Sequence, residues 1–175
     1  MPKALKIFLI AIASLVALVV GGGFLLPSEY AAERSIEIEA EPQAVFDMVA
    51  DLEVNQQWSP WKFNDPSIDV TYGDKKVGEG ASYSWTSENS GVGTLKIAKA
   101  DPPNSITNDL DFDGQLATAT WTFEKTDKGT KVTWGISGDN GMNPIGRWFG
   151  LMLDSMVGPD FELGLSRLKE HAEKA

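Results

Sequence analysis

The chain has 175 residues, 15 basic against 25 acidic side chains, a net charge of −10, six tryptophans and no cysteine. That length sets one domain with a short extra segment, and six tryptophans are too many for a disordered chain. The missing cysteines exclude disulfides, thiolate metal sites, a cysteine nucleophile and a lipidated-cysteine anchor, and the acidic balance disfavours nucleic acid as a partner.

Residues 7–26 are uncharged, with Ser14 the one polar side chain. As a helix rising about 1.5 Å per residue this run spans roughly 30 Å, the thickness of a bilayer's hydrocarbon core. Lys3 and Lys6 precede it, and Glu29, Glu33, Glu37, Glu39 and Glu41 follow it with Arg34 as the one basic residue among them. The positive-inside bias then places the amino terminus in the cytoplasm and the domain on the extracytoplasmic side of the cell membrane, crossing once. A cleaved signal peptide also starts basic and apolar, but its apolar core is about 7–15 residues long. Glu29 and Tyr30 spoil the cleavage frames ending at Ala31 and Ala32, while Gly21–Gly23 offers a weak site. The anchor is the reading taken forward. The three glycines are adjacent and not spaced as GxxxG, which gives little support to helix dimerisation. The expected division is 1–26 cytoplasmic tail and transmembrane helix, 27–33 linker, and 34–175 domain. Beyond residue 26 the net charge is near −12.

Arg34–Glu39 alternates with period two, placing Ile36 and Ile38 on one strand face. Ala40–Asp51 reads as a helix with Pro42 in its first turn and Val45, Phe46, Met48 and Val49 on the buried side. Asn55–Trp61, aromatic and proline-broken, reads as a short helix or turn. From Ile68 to Gly138 the pattern is strands and turns. Tyr83 and Trp85 share a face; so do Leu95 and Ile97; Ile106, Asn108, Leu110 and Phe112; Ala117, Ala119, Trp121 and Phe123; and Val132, Trp134 and Ile136. Such alternation predicts meandering antiparallel strands with one apolar and one solvated face. The last segment carries two helical stripes, Ile145/Trp148/Phe149/Met152/Met156 and Phe161/Leu165/Leu168/Ala172, with a break or kink expected at Gly158-Pro159. One helix laid across the sheet is an obvious way to bury its apolar face.

This α+β order resembles the helix-grip fold of the START/Bet v 1-like superfamily, a curved antiparallel sheet wrapped around a long C-terminal helix. The segments Arg34-Ser-Ile-Glu-Ile-Glu-Ala-Glu-Pro-Gln-Ala-Val-Phe46, Trp58-Ser-Pro-Trp61, Gly158-Pro-Asp-Phe-Glu162 and Gly164–Lys169 are similar to its polyketide cyclase/dehydrase-like branch, often labelled SRPBCC. The likeness covers residues 33–174. It implies a cavity between sheet and helix for a hydrophobic small molecule or lipid, and the membrane anchor is an addition to it. Members include lipid carriers, cyclases and receptors, so the resemblance leaves activity open. The residues expected to face the cavity are Tyr83, Trp85, Asn108, Leu110, Trp121, Trp134, Met152, Phe161, Gly164 and Leu165. Trp58, Trp61, Phe63, Met142, Trp148 and Phe149 are expected at a less regular mouth.

Other signals are weaker. Asp109–Gly114 fits the first half of a calcium loop, but Thr120 stands where a bidentate glutamate is needed, and the segment alternates as a strand. Gly91-Val-Gly93 lacks the third glycine of a dinucleotide loop. His171 is the single histidine, and no serine sits in a nucleophile elbow. No catalytic residue, metal ligand or cofactor is therefore assigned, and a binding module is preferred to an enzyme. A cyclase or dehydratase working through Tyr83 and Asn108 is the alternative, as is an interaction domain with a collapsed core. Asn108 should point inward and must find a partner in Tyr83, the backbone or a ligand. At Gly164 the missing side chain either admits a close neighbour or leaves room for a guest.

Overall fold

Period-two alternation gives each strand one apolar face, and pairing the strands merges those faces into a single surface that one helix can cover. The computed structural model describes residues 2–174. In chain order its elements are α1 (Lys3–Gly23), β1 (Glu29–Ile38), α2 (Pro42–Ala50), α3 (Leu52–Trp58), α4 (Pro60–Asn64), β2 (Asp69–Tyr72), β3 (Ser82–Ser87), β4 (Gly91–Asp101), β5 (Ser105–Phe112), β6 (Gln115–Thr126), β7 (Gly129–Asp139) and α5 (Pro144–Ala172). The strands form one antiparallel sheet in the order β1-β7-β6-β5-β4-β3-β2. Consecutive strands from β2 to β7 are hairpin neighbours, and β1 closes the far edge against β7. The three short helices carry the chain from that edge to the other. This is the α+β helix-grip architecture expected from the sequence, with a long apolar helix, α1, ahead of it.

Local chemistry sets the element ends. Asp51 Oδ1 accepts from Glu53 N (2.9 Å) and Val54 N (3.1 Å), capping α3. Asn143 Oδ1 does the same for Ile145 N and Gly146 N at the start of α5, and prolines open α2, α4 and α5. Such caps satisfy amide donors that the helix itself leaves free.

Two elements differ from the sequence reading. β1 begins at Glu29 and not Arg34, because Glu29–Glu33 pair with Asp139–Gly135. Only Phe24–Ser28 therefore separate α1 from the sheet. The expected break at Gly158-Pro159 is also absent, and α5 runs unbroken for 29 residues. Pro159 removes one amide donor, but a clamp spans the weakened turn. Arg34 points inward from β1 and donates to Asp154 Oδ1 (2.7 Å), one turn before Gly158, and to Glu162 Oε1 (2.9 Å), one turn after it. Any β-carbon on Gly158 would run into that guanidinium.

The carboxy-terminal half of α5 lies on the filled part of the core. Ile38, Val45, Phe46, Val49, Phe123, Val132, Leu165 and Leu168 are all buried there, each contributing about 1.5–3 kcal/mol by removal from water.

One buried carboxylate ties the β2–β3 end of the sheet together. Asp65 accepts from Ser67 N (3.0 Å), from the Ser67, Ser87 and Ser90 hydroxyls and from Asn89 Nδ2 (3.3 Å). It thereby pins the β3–β4 turn to the loop after α4. Those hydroxyl donors, Ser67 first, hold its carboxyl well below the usual carboxylate range. A depressed folded value means that this stabilisation is complete above the unfolded aspartate value of about 3.9 and fades as the pH falls through the lower folded value. Asp65→Asn should therefore lower the Tm at neutral pH and flatten its decline in acid, as read by circular dichroism melts across the pH range.

Candidate ligand pocket

The inward side chains of β6 run Phe123, Trp121, Ala119, Ala117, so bulk drops sharply halfway along the strand. Their neighbours on β5 and β7 are set by register: Trp121 faces Ile106 and Trp134, Ala119 faces Asn108 and Ile136, and Ala117 faces Leu110. Trp134 lies flat between Trp121 (ring centroids 4.4 Å apart, 16° between planes) and Phe161 of α5 (4.1 Å, 10°). On one side of this stack the core is filled. On the other, the small β6 side chains leave a cavity of about 660 Å³ between the sheet and the amino-terminal half of α5, within the range of small-molecule sites.

Seven of the ten residues expected to face the cavity line it: Tyr83, Trp85, Asn108, Leu110, Trp121, Trp134 and Phe161. The other three lie elsewhere. Leu165 is packed in the filled core. Gly164 has no free space: a β-carbon there would stand 2.8 Å from the Trp134 ring and 2.9 Å from Pro60, so its missing side chain admits close neighbours and leaves no room for a guest. Met152 points outward from α5 and is exposed. Of the expected mouth residues, Trp58, Trp61 and Phe149 line the cavity, with Trp58 buried deep in its wall.

Sequence reasoning passed over several wall residues. Ala117 and Ala119 create the space, and the drop in side-chain volume along β6 was the available signal. Gly93 lets the Trp85 indole cross β4 toward Phe112 (5.5 Å), since a β-carbon there would overlap the indole. Gly146, Gly150, Leu153 and Met156 close the cavity from α5 beside the expected Phe149, and Tyr30 and Asn140 close it from the strand ends.

The polar inventory is short. Among the described wall residues none is Asp, Glu or His, and the one charged side chain, Lys62, donates its ammonium to the Ile68 carbonyl. Two buried polar atoms in the wall have no partner among the described residues: Asn108 Oδ1, on a residue only 6 % exposed, and Trp58 Nε1, on one 2 % exposed. Neither Tyr83 nor the backbone satisfies the Asn108 oxygen. The Tyr83 phenol is pushed up by burial to about 12, an effect that the neighbouring Gln56 side chain partly offsets. It remains protonated at neutral pH, able to donate a hydrogen bond but a weak acid. A more open recess of about 340 Å³, bounded by Ala31–Glu33, Thr120, Gly135–Ser137 and Asp154, is more polar. Among the described residues no cluster of His, Asp or Glu is arranged for a metal.

A seven-stranded antiparallel sheet gripping one long carboxy-terminal helix, with a cavity between them, defines a helix-grip protein. The sequence matches the family described as polyketide cyclase / dehydrase and lipid transport over residues 30–173, and the chain belongs to that family. A search of curated proteins finds no match. Among solved structures the chain is similar to protein CV1439 from Chromobacterium violaceum, at 14 % identity over 82 % of this chain and 98 % of that one, with a TM-score of 0.60. It is also similar to SA2116 of Staphylococcus aureus, a protein of unknown function, at 12 % identity over 83 % and 94 %, TM-score 0.61. A third is DynU16, from the dynemicin biosynthetic locus, at 16 % identity over 82 % of this chain and 47 % of that one, TM-score 0.56. At these identities the likeness is one of fold.

The geometry around Gly164 makes a direct test of the stack. Both neighbours of its absent β-carbon are rigid rings, so Gly164→Ala forces a shift costing about 1–3 kcal/mol, against roughly 1 kcal/mol gained in helix propensity. Urea unfolding should show a net loss of stability. Unchanged or raised stability would mean the stack yields freely.

Proposed function

We propose that the chain is a membrane-tethered binding protein for a hydrophobic small molecule or lipid, held in the cavity between the sheet and α5. The observation that carries this reading is the cavity wall: mostly apolar in surface, without a carboxylate or histidine among the described residues, and with one buried donor and one buried acceptor left unpaired there. Acid–base turnover works best with a group titrating near the working pH, and burial raises both phenols of the wall, Tyr83 to about 12 and Tyr30 above its ordinary value. Binding needs only apolar area and a few orienting polar atoms. About ten buried methylenes contribute roughly 8 kcal/mol gross, and ordering costs leave a weak, exchangeable complex.

A conjugated polyene fatty acid tests this, because five tryptophans line the cavity and transfer excitation to it. The full-length chain in lipid discs should show strong tryptophan-to-polyene transfer. Ala119→Phe, which fills the empty half, should abolish the cavity component while leaving the circular dichroism spectrum unchanged. Equal transfer in both proteins would overturn the proposal.

The tether is α1, 21 residues long and apolar enough to cross a bilayer. The basic Lys3 and Lys6 in its first turn and the glutamates beyond it support an amino terminus inside and a domain outside. A reporter fused after the last residue should be active only in a form that works outside the cytoplasm, and cytoplasmic activity would reverse the assignment.

A further inference from the structure

The amino-terminal half of α5 has an unusual surface. From Pro144 to Leu153 its one charged residue is Arg147. Phe149, Leu151 and Met152 are each more than half exposed, and Trp148 and Ile145 are partly so. Phe149 and Ile145 also touch the cavity, whereas Trp148, Leu151 and Met152 face away from it. A helix apolar on all sides belongs in a protein core or in lipid, and much of the outer face of this one stays exposed beyond its contact with the end of α1.

The end of α1 shows where lipid begins. Gly22 lets the Trp148 ring approach to 3.2 Å of where a β-carbon would stand, and Gly23 meets the Pro144 carbonyl so closely that no side chain fits. Trp148 Nε1 donates to Val19 O at 2.9 Å. Arg147 Nη1 donates to Phe24 O (3.1 Å) and Leu26 O (3.0 Å), and its Nη2 to Gly141 O (2.7 Å), so its donors are turned onto backbone carbonyls. Val19 lies four residues before the end of α1, about 6 Å along the axis. The first turns of α5 are thus clasped beside the last turn of the apolar helix, at the depth where tryptophans gather in a bilayer. Leu25 (88 % exposed) and Met142 (76 %) extend the same apolar end. Leu116 and Phe112 of the β5–β6 hairpin join it through the Gln115–Asn140 hydrogen bond (3.5 Å).

We infer that this end of the domain, Pro144–Leu153 with Leu25 and Met142, is seated in the bilayer surface by the α1–α5 clasp, so that the cavity mouth opens against lipid. The inference rests on the reading of α1 as a membrane anchor. Its occupant is the lipid surface and not a second copy of the chain, because the apolar face is continuous with a helix that itself requires lipid. The acidic charge elsewhere keeps the other faces of the domain off an anionic bilayer.

The absence of cysteine makes single-site spin labelling clean. Full-length chains carrying Leu15→Cys, Met152→Cys or Lys128→Cys are labelled and reconstituted in phosphatidylcholine/phosphatidylglycerol vesicles. Collisions with oxygen and with a water-soluble nickel chelate are then measured. Labels at 15 and 152 should lose nickel collisions and keep oxygen collisions, while the label at 128 remains open to nickel. Adding Gly23→Leu should break the clasp and return nickel collisions at 152 while leaving those at 15 unchanged. A label at 152 open to nickel with 15 still in lipid overturns the seating and spares the anchor. A label at 15 open to nickel overturns the anchor and with it the inference. Spin–spin broadening at 152 would show a second copy on this face and overturn the lipid assignment.

Discussion

The structure depends on Trp134 being held flat between Trp121 and Phe161. The stack is where the sheet meets α5 through rings alone, and Trp61 meets both Trp134 and Phe161 edge-on at 6.4 Å. Stacked and edge-on aromatic pairs add about 0.5–1.5 kcal/mol each beyond the area they bury. Their larger consequence is geometric. The stack fixes the distance between sheet and helix at one point, and Gly164 permits that distance by having no side chain. Toward Phe123 the gap is filled by Leu165, Leu168 and the residues of α2. Toward Ala117 the same gap continues with nothing large enough to fill it. The cavity is thus a consequence of a rigid spacer followed by small residues.

That arrangement asks two different things of one helix. The carboxy-terminal half of α5 is an ordinary amphipathic core helix. The amino-terminal half is apolar on both its cavity side and its outer side. The change falls at Gly158-Pro159, where the backbone has lost a hydrogen bond, and Arg34 lies across it. Ion pairs this exposed contribute little by themselves. Here the guanidinium also donates to Glu33 O and to both Asp154 oxygens, and its reach from Asp154 to Glu162 holds the two halves in line. The clamp explains why a proline that should interrupt the helix does not.

Alternation alone reveals six of the seven strands and which residues share each face, because side-chain direction in a strand repeats every two residues whatever the tertiary context. It does not reveal volume. Ala117 and Ala119 occupy inward positions as surely as Trp121 does, and their role emerges only when they stand opposite Asn108, Leu110 and Ile136. Helical period has the same limit. It places Trp148 and Met152 with Ile145 and Phe149 on one stripe, but which side of the protein covers that stripe depends on α1, a segment outside the domain pattern. The start of β1 was hidden for a related reason. Glu29–Glu33 does not alternate in the sequence, and pairing with β7 supplies what local pattern lacks. Gly22 and Gly23, part of a run that makes no dimer motif, answer to Trp148 and Pro144, partners more than a hundred residues away.

The proposed seating changes what the two unpaired polar atoms mean. A hydrophobic ligand entering the cavity from water would gain the full hydrophobic term, and almost any apolar molecule of the right size would bind. Entering from lipid, it moves between two apolar surroundings and that term nearly cancels. Selection then falls on what lipid tails cannot supply. Trp58 Nε1 can donate and Asn108 Oδ1 can accept, and each costs free energy while it stays unpaired in the wall. A guest that brings an acceptor to the indole or a donor to the amide oxygen relieves the corresponding cost. A plain hydrocarbon relieves neither. In a cavity filled from the membrane, specificity would thus reside in two atoms of the wall, while its apolar remainder sets the size and shape of the molecules admitted.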